Sequence, residues 1–127
     1  MSTDFIDRVF TLVDNRDAEG FAALFAPDGR FVFGNADPIL GPAAIAATVG
    51  GFFTTIDGLR HQIANRWEVG SDAIAELVVE YRRLDGKLVS VPAVTIFTRD
   101  GAGLISDYRI FVDLAPLFTD PSAPESR

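Results

Sequence analysis

The first half of this chain carries its apolar residues at helical spacing, and the second half carries them in alternation. Phe5, Ile6, Val9, Phe10, Leu12 and Val13 recur every three or four positions. That spacing predicts a helix over 3–14, with Thr3 or Asp4 capping its start. Asn15-Arg16-Asp17 breaks it. Asp17 can cap a second helix over 18–25, which would set Phe21, Leu24 and Phe25 on one side. Ala26-Pro27-Asp28-Gly29 reads as a turn, Arg30 to Gly34 as a short strand, and Asn35 to Leu40 as a loop. Gly41-Pro42 opens a third helix over 43–55, because proline is well tolerated in a first turn.

From residue 59 the period falls to two. Segments 59–69, 73–84, 87–99 and 104–115 each read as a long strand. Gly70-Ser71, Asp85-Gly86 and Asp100-Gly101-Ala102-Gly103 separate them as hairpin turns do. Helices followed by an antiparallel meander predict an α+β domain, with the helices lying on one face of a curved sheet. One domain is expected over 1–118. Residues 119–127, with Pro121 and Pro124, read as a mobile tail.

Hairpin loops of even length would decide which side chains share a face. Under that rule His61 sits opposite Glu80, Ile63 opposite Val78, Asn65 opposite Glu76 and Trp67 opposite Ile74. The same face continues through Val91, Ala93, Thr95 and Phe97 to Val112, Ile110, Tyr108 and Ser106. One row across the four strands then reads Asn65, Glu76, Thr95, Tyr108. Around it stand Ile63, Trp67, Val78, Phe97 and Ile110. An apolar wall with a few convergent polar groups is the usual build of a small-molecule site. The expectation is therefore a ligand cavity holding His61, Glu76, Asn65 and Tyr108. A single bulge or a three-residue loop would move Glu76 or Tyr108 to the other side. The opposite face would hold Leu77, Val79, Tyr81, Val94, Ile96 and Phe111 with Asp107, Arg109 and Asp113. It is too apolar to face water, and it predicts a homodimer through the outer sheet face.

Composition narrows the chemistry. The chain has 127 residues, a net charge of −7 and a pI near 4.5, with a single lysine. A general nucleic-acid or anionic-membrane surface needs clustered Lys and Arg, so neither partner is expected. No apolar run approaches the ~20 residues of a membrane span, and MSTDFIDRVF lacks the build of a signal peptide. The default location is the cytoplasm. With no cysteine and one histidine, thiolate and multi-histidine metal sites are excluded. Nothing in the spacing signals an all-carboxylate site. No metal and no cofactor are expected. Eleven phenylalanines within a 48% hydrophobic composition describe a core-rich globular chain.

The segments LVDNRD, FAALFAPDGRFVF, the Gly41-Pro42 helix and ISDYRIFVDLAPLF together resemble the SnoaL-like group of the nuclear transport factor 2-like superfamily. The likeness covers about residues 3–118. It implies a cone of curved antiparallel sheet closed by three helices over a cavity, usually dimerised through the outer face. Relatives include polyketide cyclases, steroid isomerases, scytalone dehydratase and limonene epoxide hydrolase, and many members have no known activity. The steroid isomerases would place a tyrosine near Phe10, a base aspartate near Gly34 and an acid near Thr95, and none is present. Limonene epoxide hydrolase would place an aspartate near Ile110, which is also absent. Asp14 and His61 match the aspartate–histidine pair of scytalone dehydratase, although Val13 stands where that enzyme has a tyrosine. Such a pair suits elimination of water β to a carbonyl: neutral histidine takes the α-proton, and the aspartate holds the tautomer and supports the imidazolium.

The resulting expectation is a cofactor-independent lyase, isomerase or cyclase for a small, mostly apolar, oxygenated substrate. His61 would be the base and Asp14 its orienter, with Tyr108, Asn65 and Glu76 as polar supports. Plainer readings stand beside it. Asp14 at a helix break can be a cap. His61 can be a satisfied core histidine, Glu76 a half-exposed strand residue and Tyr108 a wall residue. The whole cavity can bind a ligand without chemistry, or be a vestige inside a dimeric interaction module.

Overall fold

The computed structural model describes residues 2–118, with side chains from Phe5 onward. The proposed tail, and the cap at Thr3 or Asp4, lie outside the described residues and side chains. Four helices and six strands follow in order: α1 Ser2–Asp14, α2 Ala18–Ala22, β1 Phe25–Phe33, β2 Ile39–Leu40, α3 Pro42–Phe53, β3 Gly58–Val69, β4 Asp72–Arg82, β5 Leu88–Arg99, β6 Ile105–Val112 and α4 Ala115–Phe118. The strands form one curved sheet in the order β2-β1-β6-β5-β4-β3. β3 to β6 are the expected antiparallel meander, and β1 adds in parallel to β6. The fold is α+β with a mixed sheet.

α2 ends three residues before its predicted limit. Phe25 instead pairs with Ile105, and the Ile105 amide donates to the Leu24 carbonyl at 2.9 Å. Tertiary pairing here overrides helical spacing. The supposed loop over 35–40 contains β2, whose Ile39 and Leu40 pair with Phe31 and Arg30. The core lies between the helices and the concave face. Ile6, Val9 and Phe10 of α1, Phe21 of α2, and Ile45 and Val49 of α3 pack over Leu77, Val79 and Tyr108. No helix is long and apolar enough to cross a membrane.

Register departs from even parity at four places. The Gly70-Ser71 turn has two residues as expected, so Val69 pairs with Asp72, Trp67 with Ile74 and Asn65 with Glu76. Beyond it, a bulge at Ala64 inserts one extra residue, and Ile63 pairs with Leu77 and His61 with Val79. The bulge turns Arg66 towards α1, where it meets Asp7 at 2.9 Å. The second hairpin is closed by the Arg83 amide on the Lys87 carbonyl at 2.8 Å, which leaves three loop residues, Leu84 to Gly86. Gly86 takes φ +87°, the left-handed position that ends a three-residue loop. Glycine serves that position as well as it serves a two-residue turn, so Asp-Gly does not fix the loop length. The third hairpin also has three residues, Gly101 to Gly103, with Gly103 at φ +84°. A second irregularity between Thr98 and Arg99 cancels its odd count.

These offsets correct the faces. Leu77, Val79 and Tyr81, expected outside, are buried inside with Ala93, Thr95, Phe97 and Tyr108. Glu76, Asn65, Trp67 and Val78, expected inside, are on the outer face. Glu76 and Asn65 hydrogen-bond each other there at 2.7 Å, and Trp67 is half exposed.

Candidate functional site

Asp14 is the last residue of α1. A carboxylate at that end opposes the helix dipole, and it is not needed as a cap. Arg16 closes the helix with φ +57°: its own amide donates to Val13 O at 2.8 Å, and the Asp17 amide donates to Leu12 O at 2.9 Å. The Asp14 carboxylate turns instead to β3. The His61 backbone N–H donates to both of its oxygens at 3.1 Å, and His61 Nδ1 lies 2.6 Å from Oδ1.

The imidazole is stacked on Phe10, with centroids 4.9 Å apart at 26°. Its side chain is 10% exposed and that of Asp14 25%. A carboxylate can only accept, so Nδ1 carries the hydrogen. In the neutral ring the lone pair then belongs to Nε2. Helix end, backbone amide and ring stacking together fix one tautomer and one orientation.

The ring borders a cavity between the helices and the concave face. Phe21, Phe31, Phe33, Phe52 and Phe53 line it together with aliphatic side chains, and its polar groups are His61, Tyr81, Thr95 and Tyr108. The space open to the centre of a water molecule is about 40 Å³. Counting all space between atoms and out through the opening, it is about 540 Å³.

Of the residues singled out from the sequence, His61, Tyr108, Thr95 and Ile110 border this cavity, and Asp14 is joined to it through His61. Ile63 and Phe97 pack in the core without bordering it. Glu76, Asn65, Trp67 and Val78 take no part. Tyr81 was missed, although a signal existed. Residues 73, 75, 77, 79 and 81 of β4 carry no charge, whereas the alternate row carries Glu76 and Glu80. The uncharged row is the one that turns inward, with Ala73, Ala75, Leu77, Val79 and Tyr81 all buried.

Burial pushes the Tyr81 hydroxyl up to about 12, and the Asp14 charge adds to the rise. Burial raises Tyr108 further; the Thr95 side chain, by hydrogen-bonding to it, opposes this in part, and Tyr81 adds to it. Both phenols are therefore un-ionised donors near neutral pH. They are the only tyrosines of the chain, so phenolate absorbance reads them without background. Between the ordinary value of 10 and about 12, an unfolded chain loses protons that the fold retains, so stability falls as pH rises through that window. Phenolate absorbance should stay absent until the fold is lost and then rise together with the loss of circular dichroism. Ionisation near pH 10 in a folded chain would contradict the burial.

Among the described residues, no three metal-ligating side chains come together.

A sequence model of the SnoaL-like domain family matches residues 6–108. Solved structures agree in fold. A nuclear transport factor 2-like protein of unknown function from Burkholderia pseudomallei K96243 superposes with a TM-score of 0.81 at 15% identity, over 92% of this chain and 97% of that one. A protein with a ketosteroid isomerase-like fold from Catenulispora acidiphila, in complex with trimethylamine, gives 0.77 at 17%, over 85% and 84%. The epoxide hydrolase/cyclase-like enzyme SalBIII, which acts in pyran ring formation in the polyether salinomycin, gives 0.76 at 18%, over 90% and 92%. No functionally curated protein matches the sequence.

Proposed function

We infer the function from one premise: this chain belongs to the SnoaL-like domain family. On that premise it is a cofactor-independent lyase, isomerase or cyclase that moves protons on a small, mostly apolar, oxygenated substrate. The observation that carries this reading is the Asp14–His61 pair at 2.6 Å on the wall of an aromatic cavity. A histidine whose Nδ1 hydrogen is committed to a carboxylate keeps Nε2 as a base. Neutral His61 takes a proton from the carbon next to a carbonyl, and the C–H electron pair becomes the C=C of an enolate. The imidazolium, supported by Asp14, then returns its proton. Delivered to a leaving hydroxyl it expels water, and delivered to another carbon it isomerises the double bond.

The test is hydrogen exchange into D2O at the positions flanking the carbonyl of 2-indanone, followed by proton NMR. Catalysed exchange that depends on His61 supports the enzyme. Binding without exchange would overturn it in favour of a ligand-binding protein. That second reading is favoured by the narrowness of the space, since about 40 Å³ leaves little room for a substrate to reorient.

A homodimer through the outer face belongs to the same reading. Phe111 and Trp67 are about half exposed there and Val78 more than a third, and a groove beside Pro92, Val94 and Phe111 crosses that face. Arg109 Nε lies 2.9 Å from Asp107 at an angle that makes an ion pair but leaves its buried N–H without a hydrogen bond. Phe111→Glu should turn a sedimenting dimer into a monomer. As Trp67 is the only tryptophan, its emission should shift to the red on dissociation. A wild-type monomer at tens of micromolar would dismiss the dimer.

A further inference from the structure

We propose that Tyr81 is the group that binds the substrate's oxygen, donating its hydroxyl hydrogen to a carbonyl held against His61. The inference rests on the cavity reading above and adds the residue that orients the ligand. Tyr81 is opposite Leu59, and His61 is opposite Val79. The two are therefore diagonal neighbours on the concave face, within reach of one another's long side chains. The Tyr81 residue is 3% exposed, and its ring is braced edge-on by Phe52 at 6.0 Å and 84°.

Both side chains border the same cavity, yet their hydroxyl and ring nitrogen differ in role. His61 Nε2 has a lone pair and can take a proton, whereas Tyr81 has a hydrogen to offer. Among the described residues the Tyr81 hydroxyl has no hydrogen-bond partner. The hydroxyl keeps accessible surface where the residue borders the cavity, so a water or a ligand oxygen can take its hydrogen there. Tyr108, the other phenol on the wall, is 1% exposed and closed in by the rings of Phe21, Phe25, Phe31 and Phe97. The un-ionised state of Tyr81, kept by burial and by the nearby Asp14 charge, makes it a standing donor.

A ligand oxygen at Tyr81 would place the adjacent carbon towards His61. As that carbon loses its proton, negative charge moves onto the oxygen, and the Tyr81 hydrogen bond strengthens. No proton needs to leave Tyr81: the bond broken is C–H at carbon, and the proton goes to His61.

The experiment compares the affinities of acetophenone and α-methylstyrene, which differ by a carbonyl oxygen against a methylene. They are measured by ligand-observed NMR on the full chain. The ketone-to-hydrocarbon affinity ratio should fall about tenfold in Tyr81→Phe, the size of one net hydrogen bond. The melting temperature should hold or rise, since the hydroxyl removed has no protein partner. A merely structural tyrosine would lower the melting temperature and leave the ratio alone, and that result overturns the proposal. Should Tyr81→Phe not fold, the carbonyl carbon shift of labelled acetophenone gives the same answer on the wild-type protein. A downfield shift on binding supports the bond, and a shift like that in hydrocarbon solvent refutes it. Failure of both ligands to bind would remove the cavity reading and this inference with it. A ratio that falls in a protein without exchange activity would leave Tyr81 in place as a binding residue of a non-enzyme.

Discussion

His61→Gln should slow solvent exchange at 2-indanone by about 10²–10⁴-fold, the usual contribution of a positioned general base. Glutamine keeps a planar polar group of similar reach, so the fold should survive and the loss can be read as chemistry. Asp14→Asn should lower the same rate with His61 still present. An amide accepts more weakly than a carboxylate, and it can also present N–H to the ring, which allows the wrong tautomer. Because His61 is the only histidine, its two ring nitrogens can be assigned by nitrogen NMR without ambiguity. The wild type should show the hydrogen on Nδ1, and Asp14→Asn should show a mixture. Exchange that persists undiminished in His61→Gln would move the base elsewhere and remove the dyad from the mechanism.

Phe21→Ala should carry the largest cost to stability. Phe21 is 1% exposed and packs edge-on against Phe25 at 5.2 Å, Phe31 at 5.9 Å and Tyr108 at 5.2 Å. It joins the five-residue helix α2 to β1 and β6, and it forms part of the cavity wall. Truncating a buried phenylalanine costs about 3–5 kcal/mol. For a domain of this size that lowers the melting temperature by roughly 10–20 °C. The hollow left behind opens onto the existing cavity, so benzene should restore part of the loss by filling it. A shift under a few degrees would mean that α2 collapses inward and that the aromatic cluster contributes little. Thermal melts of the two proteins with and without benzene measure both effects.

Much of this molecule was readable in one dimension. Helical spacing located α1 to its last residue, because its apolar stripe and the Asn15-Arg16-Asp17 break are local facts. Gly41-Pro42 marked the start of α3 for the same reason. The four long strands followed from period-two alternation and their turn residues. β2 was not readable, since two residues carry no period and are placed by pairing with β1 and by packing of Ile39 on the core. Nor was the early end of α2, where Phe25 has helical spacing but a strand's partner. Asp14 and His61 stood out by chemistry and by the family resemblance, 47 positions apart, and the fold brings them to 2.6 Å.

The sequence by itself determined α1, the start of α3, the four long strands and the kinds of group available for chemistry: one histidine, two tyrosines, no cysteine and no basic cluster. Only the tertiary structure decided which polar residues share the cavity. Glu76 and Asn65 went outside and Tyr81 came inside because of one bulged residue at Ala64 and one three-residue turn at Leu84 to Gly86. A shift of a single residue inverts every side chain beyond it, while the local signals for odd and even connections are the same. What separates them is packing at a distance: Arg66 turned to Asp7 of α1, and an uncharged row of β4 buried where its two glutamates would otherwise have been.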